Sequence, residues 1–242
     1  MITGEKLLIV NADDFGRSPG VNRGVAVAYE SGIVSSASLM VRRPAAEEAA
    51  AYARRNPRLS IGLHVDLGEW AYVDGRWEAV DEVAEPPELE IQRQLARFRD
   101  LVGRDPSHLD SHQHVHREEP VATLMYGVAR ELGVPLRGRD GVVRYCGDFY
   151  GQTATGERLA DAITAKALLD IFRDLSPGVT ELGCHPGLGT ELDAPYGVER
   201  SMEVAALCDP AVRAALAANG IQTCSFADIA PNRPAGSAGR RA

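Results

Sequence analysis

Leu7-Leu8-Ile9-Val10-Asn11-Ala12-Asp13-Asp14-Phe15-Gly16 decides how the rest of the chain is read. Its opening apolar run has the character of a strand buried on both faces, as in parallel sheets covered by helices. Two carboxylates close it. Neighbouring residues on a strand point to opposite faces, so both can face one site only if the chain turns there. Gly16 is available for that turn. Two anions at this spacing repel unless a cation or a shared proton relieves them. Taken alone, the pair reads more simply as an Asp-rich turn capping the next helix. Its company elsewhere in the chain argues otherwise.

Outward from this strand, helix and strand signals alternate. Ser18-Pro19-Gly20 opens a helix over 21–31, since Ser caps and Pro suits the first turn. A strand follows over 36–41, then an alanine-rich helix over 45–55. The strand Ser60–Val65 carries His64 near its end. The stretch 68–83 breaks the rhythm, with Asp74-Gly75 between aromatic runs, a hairpin signal. Both tryptophans, Trp70 and Trp77, lie in it, and it is expected beside the mouth of the site. A helix over 87–102 shows apolar Leu89, Ile91, Leu95, Phe98 and Val102 among charges. A short strand is expected over 108–110, a helix over 120–132 and a strand over 134–136. The stretch 137–156 lacks a period and reads as a long loop. Then come a helix over 159–175, a strand over 179–184, helices over 202–207 and 210–218, and a last strand over 221–226. This alternation calls for a parallel sheet. The length favours a single (β/α) barrel, a TIM-barrel variant of seven or eight parallel strands, spanning 1–230. The tail 231–242, rich in Pro, Gly, Ser and Arg, is expected to be disordered.

Bulk properties exclude other classes. The 242 residues carry a net charge of −8 and show no basic patch, which argues against nucleic acid. No apolar run is long enough for a membrane span, and the N-terminus lacks the pattern of a secretion signal. Four cysteines without a CxxC pairing read as reduced thiols, so a cytoplasmic location is expected.

The chemistry-bearing residues gather at strand ends. Asp13 and Asp14 end the first strand, and His64 ends the third. Asp110, His112, His114 and His116 follow the fourth, and His185 follows a later one. In a parallel barrel every strand C-terminus opens on one face, so these residues should converge. Alternate histidines in 112–116 would share a face if the run is extended. A carboxylate with two imidazoles is a mixed O/N set for one divalent ion. Zn, Mn, Co, Ni or Fe suit imidazole better than Mg, which prefers oxygen.

Leu-Ile-Val-Asn-Ala-Asp-Asp-Phe-Gly (8–16), Ile-Gly-Leu-His (61–64), His-Leu-Asp-Ser-His-Gln-His-Val-His (108–116), Phe-Tyr-Gly (149–151) and Cys-His-Pro (184–186) occur in this order over most of the chain. Together they resemble the YdjC-like carbohydrate deacetylases, of the chitooligosaccharide and hopanoid-associated types. The resemblance implies a variant (β/α) barrel and a hydrolase that removes the N-acetyl group from an acetylated amino sugar or short oligosaccharide, releasing acetate. It implies one divalent metal ion, Mg or Zn with Mn, Co or Ni as alternatives, on Asp14, His64 and His112. It implies Asp13 as general base and His185 as general acid. Gln113 stands where some members have histidine. Trp70 and Trp77 are expected to bind the sugar, and a homodimer is a permitted assembly. Two competing readings use the same residues. A non-haem Fe(II) oxygenase also needs two histidines and a carboxylate, and His108-Leu109-Asp110 supplies a close His-x-Asp pair. A non-catalytic sugar-binding barrel would keep the tryptophans but need neither Asp13 nor His185.

Overall fold

Leu8, Ile9, Val10 and Ala12 are fully buried, because the strand that carries them lies at the centre of the sheet. The structure, a computed structural model, describes residues 4–139, 141–189 and 196–229. Its elements in chain order are β1 (Lys6–Phe15), α1 (Pro19–Glu30), β2 (Ser36–Leu39), α2 (Ala46–Arg55), β3 (Ser60–Val65), β4 (Gly68–Val73), β5 (Arg76–Glu82), α3 (Pro87–Val102), β6 (Leu109–Ser111), α4 (Val121–Leu132), β7 (Val143–Cys146), α5 (Ala165–Asp174), β8 (Gly178–Cys184), α6 (Gly197–Leu207), α7 (Pro210–Ala218), β9 (Ile221–Thr223) and α8 (Phe226–Ile229).

Seven strands form one parallel sheet in the order β6-β3-β2-β1-β8-β7, with β9 also paired to β1. β8 runs along one edge of β1, from Lys6 to Ala12. The other edge is shared: β9 takes Lys6 to Leu8, and β2 takes Asn11 onward. The sheet curls into a half-barrel with helices packed around it. An isolated parallel bridge from Leu136 to Leu109 extends it past β6, where a strand over 134–136 was expected. Among the described residues no pairing joins this segment to β7, so the barrel has a seam there. β4 and β5 form the expected antiparallel hairpin outside the sheet.

Four local expectations need correction. The helix expected over 202–207 starts at Gly197, its first turns hidden from a periodicity reading because they bury the charged Glu199 and Arg200. The stretch 137–156 is not all loop, because β7 pairs with β8 within it. Val143 packs with Ile9 and Val179, while the Arg144 guanidinium donates to the carbonyls of Ser176 and Pro177. Glycines and charges on either side hide this short strand from a periodicity reading. The helix expected over 159–175 begins only at Ala165, since the Thr164 hydroxyl accepts from the Ala167 N–H and caps a new helix. The last strand stops at Thr223, because Ser225 donates from its N–H and Oγ to Asp228 and starts α8. The tail 231–242 lies outside the described residues. Among the described residues, no helix is long and apolar enough to cross a membrane.

Candidate active site

β1 brings both of its carboxylates to one place by bending. Asp14 has φ of 64°, and the pairing of β1 with β2 shifts register between Ala12 and Phe15. A bulge of this kind re-aims a side chain that regular pleating would send to the other face. The turn therefore begins at Asp14 itself, with Gly16 (φ 93°) completing it. Both aspartates are nearly fully buried and line a cavity of about 950 Å³ at the C-terminal ends of the strands.

Asp14, His64 and His112 offer ligand atoms that all lie within 4.8 Å of one another. Asp14 Oδ1 is 3.5 Å from His64 Nε2 and 3.2 Å from His112 Nδ1. His64 Nδ1 lies 2.8 Å from Asp110 Oδ1, which orients the ring and turns Nε2 toward Asp14. Asp14 Oδ1 is buried without a hydrogen bond among the described residues. A bare carboxylate oxygen facing two imidazole nitrogens fits a divalent cation. The electrostatics agree. Burial opposes the charge on His64, but Asp110, Asp14 and Asp13 outweigh it and push the ring up to about 10. Burial also opposes ionisation of Asp14, yet Arg200 and the two imidazoles hold it well below the usual carboxylate range.

A second group, Asp13, His64 and Asp110, also has metal-ligand spacing. It is already neutralised by Arg137. This buried guanidinium donates to Asp13 Oδ2 and Oδ1 at 2.7 Å each, reaches Asp110 at 2.7 Å and donates from Nε to Glu181 at 2.8 Å. Burial would raise the Asp13 pKa, but the charge and hydrogen bonds of Arg137 bring it below the usual value, so Asp13 is ionised at neutral pH. Asn11 Nδ2 donates a further bond to it at 2.8 Å.

His185 follows β8 and sits 3.8 Å from Asp13 Oδ2 and 4.0 Å from Glu203 Oε1. Burial pulls its pKa down to about 4, so the ring is neutral at pH 7. Its backbone is clamped from two sides. Its N–H donates to Glu203, and the next turn packs against α1 so closely that a Cβ on Gly24 would lie 2.3 Å from Gly187 Cα. Tyr196 also donates to Glu203 and accepts from the Gly151 N–H, and its ring stacks on Tyr150 at 4.8 Å. The Phe149-Tyr150-Gly151 motif and His185 thus share one buried carboxylate.

The histidine run is a tight 3₁₀ turn, not an extended strand, with Gln113 and His114 left-handed. Ser111 causes this: its Oγ accepts from the His116 N–H and bonds His116 Nδ1 at 2.6 Å. Consequently only part of the run converges on the cavity. His112 and His114 line it, while His116 is fully buried against Ser111. His114 lies 3.3 Å from the Tyr145 hydroxyl. His108 does not line the cavity; it is stacked on Phe226 at 3.7 Å and bonded to Ser38 and Ser107. The oxygenase reading loses its His-x-Asp pair by this placement. Trp70 and Trp77 line the cavity from the hairpin and are 50% and 52% exposed.

Arg137, Arg200, Glu69 and Glu203 belong to no motif. One signal for Arg137 does exist: Glu181 sits in the middle of the apolar strand β8, and a buried carboxylate there requires a buried cation.

The sequence profile of the YdjC-like protein family matches residues 7–218. A chitooligosaccharide deacetylase of Serratia marcescens is 36% identical over 257 residues, covering 93% of this chain and 100% of the relative. Its Klebsiella pneumoniae counterpart is 33% identical with the same coverage. Among solved structures, a candidate cellobiose-phosphate cleavage protein of Enterococcus faecalis superposes with a TM-score of 0.78 at 24% identity, covering 94% of this chain and 100% of that one. A peptidoglycan N-acetylglucosamine deacetylase superposes with a TM-score of 0.56 at 15% identity, over 93% of this chain and 88% of the other. These two structural likenesses speak for the fold. The profile match and the near-full-length identities show that the chain belongs to the YdjC-like family.

Proposed function

We propose that the protein is a metal-dependent carbohydrate N-deacetylase acting on short oligosaccharides of N-acetylated amino sugars. The observation that carries this reading is the bare Asp14 Oδ1, facing two imidazoles beside an ionised Asp13 and walled by tryptophan. The chitooligosaccharide deacetylase relatives support the same substrate class. A divalent ion held by Asp14, His64 and His112 would polarise the acetyl carbonyl and acidify water. Asp13, fixed by Arg137 and Asn11, accepts the proton of the attacking water. His185 starts neutral and receives a proton from the side of Asp13, 3.8 Å away. It then delivers that proton to the sugar nitrogen as the C–N bond breaks. Acetate and a free amine leave, and no covalent enzyme intermediate is required. Cytoplasmic residence fits four free cysteines. Acetate release from a panel of N-acetylated sugars, with metal supplied and then chelated, tests the whole reading; no release from any sugar in metal-supplied enzyme sinks it.

The ligand set has its own expected result. His64→Ala and His112→Ala each remove one of three protein ligands, and both proteins should lose bound metal by elemental analysis while circular dichroism stays native. Full occupancy in both would reassign the site.

The tryptophans should act in binding. Sugar rings present C–H faces that pack on aromatic rings, and Tyr72 braces Trp77 edge-on at 5.6 Å. Trp70→Ala and Trp77→Ala are expected to raise KM with little change in kcat, the pattern of lost uniform binding. An unaltered KM in both would leave the rings without a part in substrate affinity.

A further inference from the structure

The hairpin that carries the aromatic wall is a two-stranded unit outside the sheet, and such a unit is marginal by itself. Its position must come from anchors. Two are ion pairs at its base: Arg17 with Glu69 at 2.7 Å, and Arg43 with Asp81 at 3.1 Å. The third is different in kind. The Gln113 side-chain amide accepts from the Trp70 N–H at 2.9 Å and donates to the Trp70 carbonyl at 2.7 Å. A primary amide has the donor and acceptor of a peptide unit, so Gln113 pairs with the free edge of β4 as a neighbouring strand residue would. The pairing is in step with its neighbours, because Glu69 Oε1 lies 3.9 Å from His112 Nε2. Residues 69 and 70 of the wall thus face residues 112 and 113 of the ligand turn.

We infer that Gln113 is a positioning residue that sets the distance between the aromatic wall and the metal ligands, and so selects for substrates longer than one sugar. This rests on the proposed deacetylase reading. The tryptophans and the ligand residues line one cavity of about 950 Å³, more room than a single sugar ring fills, so a second and third ring would lie against the wall. The turn itself does not depend on the Gln113 amide, since Ser111 and His116 close it.

Gln113→Gly is the informative variant. It removes the amide and suits the left-handed backbone (φ 49°), so the ligand turn keeps its shape. Gln113→Glu is the second: it retains the acceptor for the Trp70 N–H but sets a carboxylate against the Trp70 carbonyl. The chain has two tryptophans, both on this hairpin, so its tryptophan fluorescence reports the wall alone. Acrylamide quenching should increase in Gln113→Gly, with bound metal unchanged. KM for triacetylchitotriose should rise by about tenfold, the scale of one or two neutral hydrogen bonds, and KM for N-acetylglucosamine should rise much less. Gln113→Glu should fall between wild type and Gln113→Gly. Unchanged quenching, or an equal rise in both KM values, overturns the inference, and loss of metal assigns Gln113 to the ligand turn instead. The quenching result stands whatever the substrate is, so a wild-type enzyme inactive on both sugars overturns the deacetylase reading separately.

Discussion

Asp13→Asn should reduce kcat by about a hundredfold to ten-thousandfold, the range for loss of a general base. The amide has nearly the shape of the carboxylate but accepts no proton at neutral pH. Asp13 is no ordinary base, because Arg137 and Asn11 take up most of its lone pairs, and the charge and hydrogen bonds of Arg137 hold its pKa down against burial. Such a carboxylate is always ionised and therefore always ready, but weakly basic. It can serve only where the water it deprotonates has been acidified, which the neighbouring Asp14–His64–His112 group accounts for. Metal content should stay at the wild-type level, separating this variant from the ligand variants. Near-normal turnover in Asp13→Asn would falsify the assignment of the base.

The second large effect is on stability. Arg137→Met should destabilise the fold by about 3–5 kcal/mol, the cost of leaving buried charge without its partner. Arg137 is 2% exposed and serves three carboxylates from three strands, Asp13 on β1, Asp110 on β6 and Glu181 on β8. The pH dependence has a definite sign. In the wild type, Arg137 lowers the pKa of Asp13 and Asp110, so their contribution is present above the unfolded carboxylate range and is lost as pH falls through the lowered values. Without Arg137, burial raises these pKa values and the variant gains stability as it takes up protons. The gap between the two proteins should thus be widest near neutral pH and narrow toward pH 5, as read from urea midpoints. A gap that is constant with pH would mean that Arg137 acts through packing alone.

The sheet and the meeting of Asp14, His64 and His112 were legible because parallel topology does the collecting. Once β1, β3, β6 and β8 are read as parallel strands, residues at their ends must meet, however far apart they lie in the chain. Nothing comparable collects Arg137, which follows the lone Leu136 bridge in an aperiodic stretch, or Arg200 on α6, whose partner Asp14 is 186 positions away. The fates of the histidines were illegible for another reason. A run of alternate histidines looks extended, and the hydroxyl of Ser111, one small residue, folds it into a turn.

The left-handed backbone at Asp14 constrains the history of this protein as well as its chemistry. Outside glycine, Asp and Asn are the residues that tolerate that region best, each through local hydrogen bonding of a short side chain. Glutamate, an equally good anion, would carry a backbone penalty there. The substitutions easiest on the fold at position 14 are therefore Asn and Gly, and each can be reached from an aspartate codon by one base change. Both remove the anionic oxygen, but only Asp14→Asn keeps an oxygen for the buried Arg200 guanidinium, which Asp14→Gly would leave without its partner. A lineage that no longer needs turnover would thus lose it most easily through Asp14→Asn, with the barrel, the Arg137 clamp and the tryptophan wall in place.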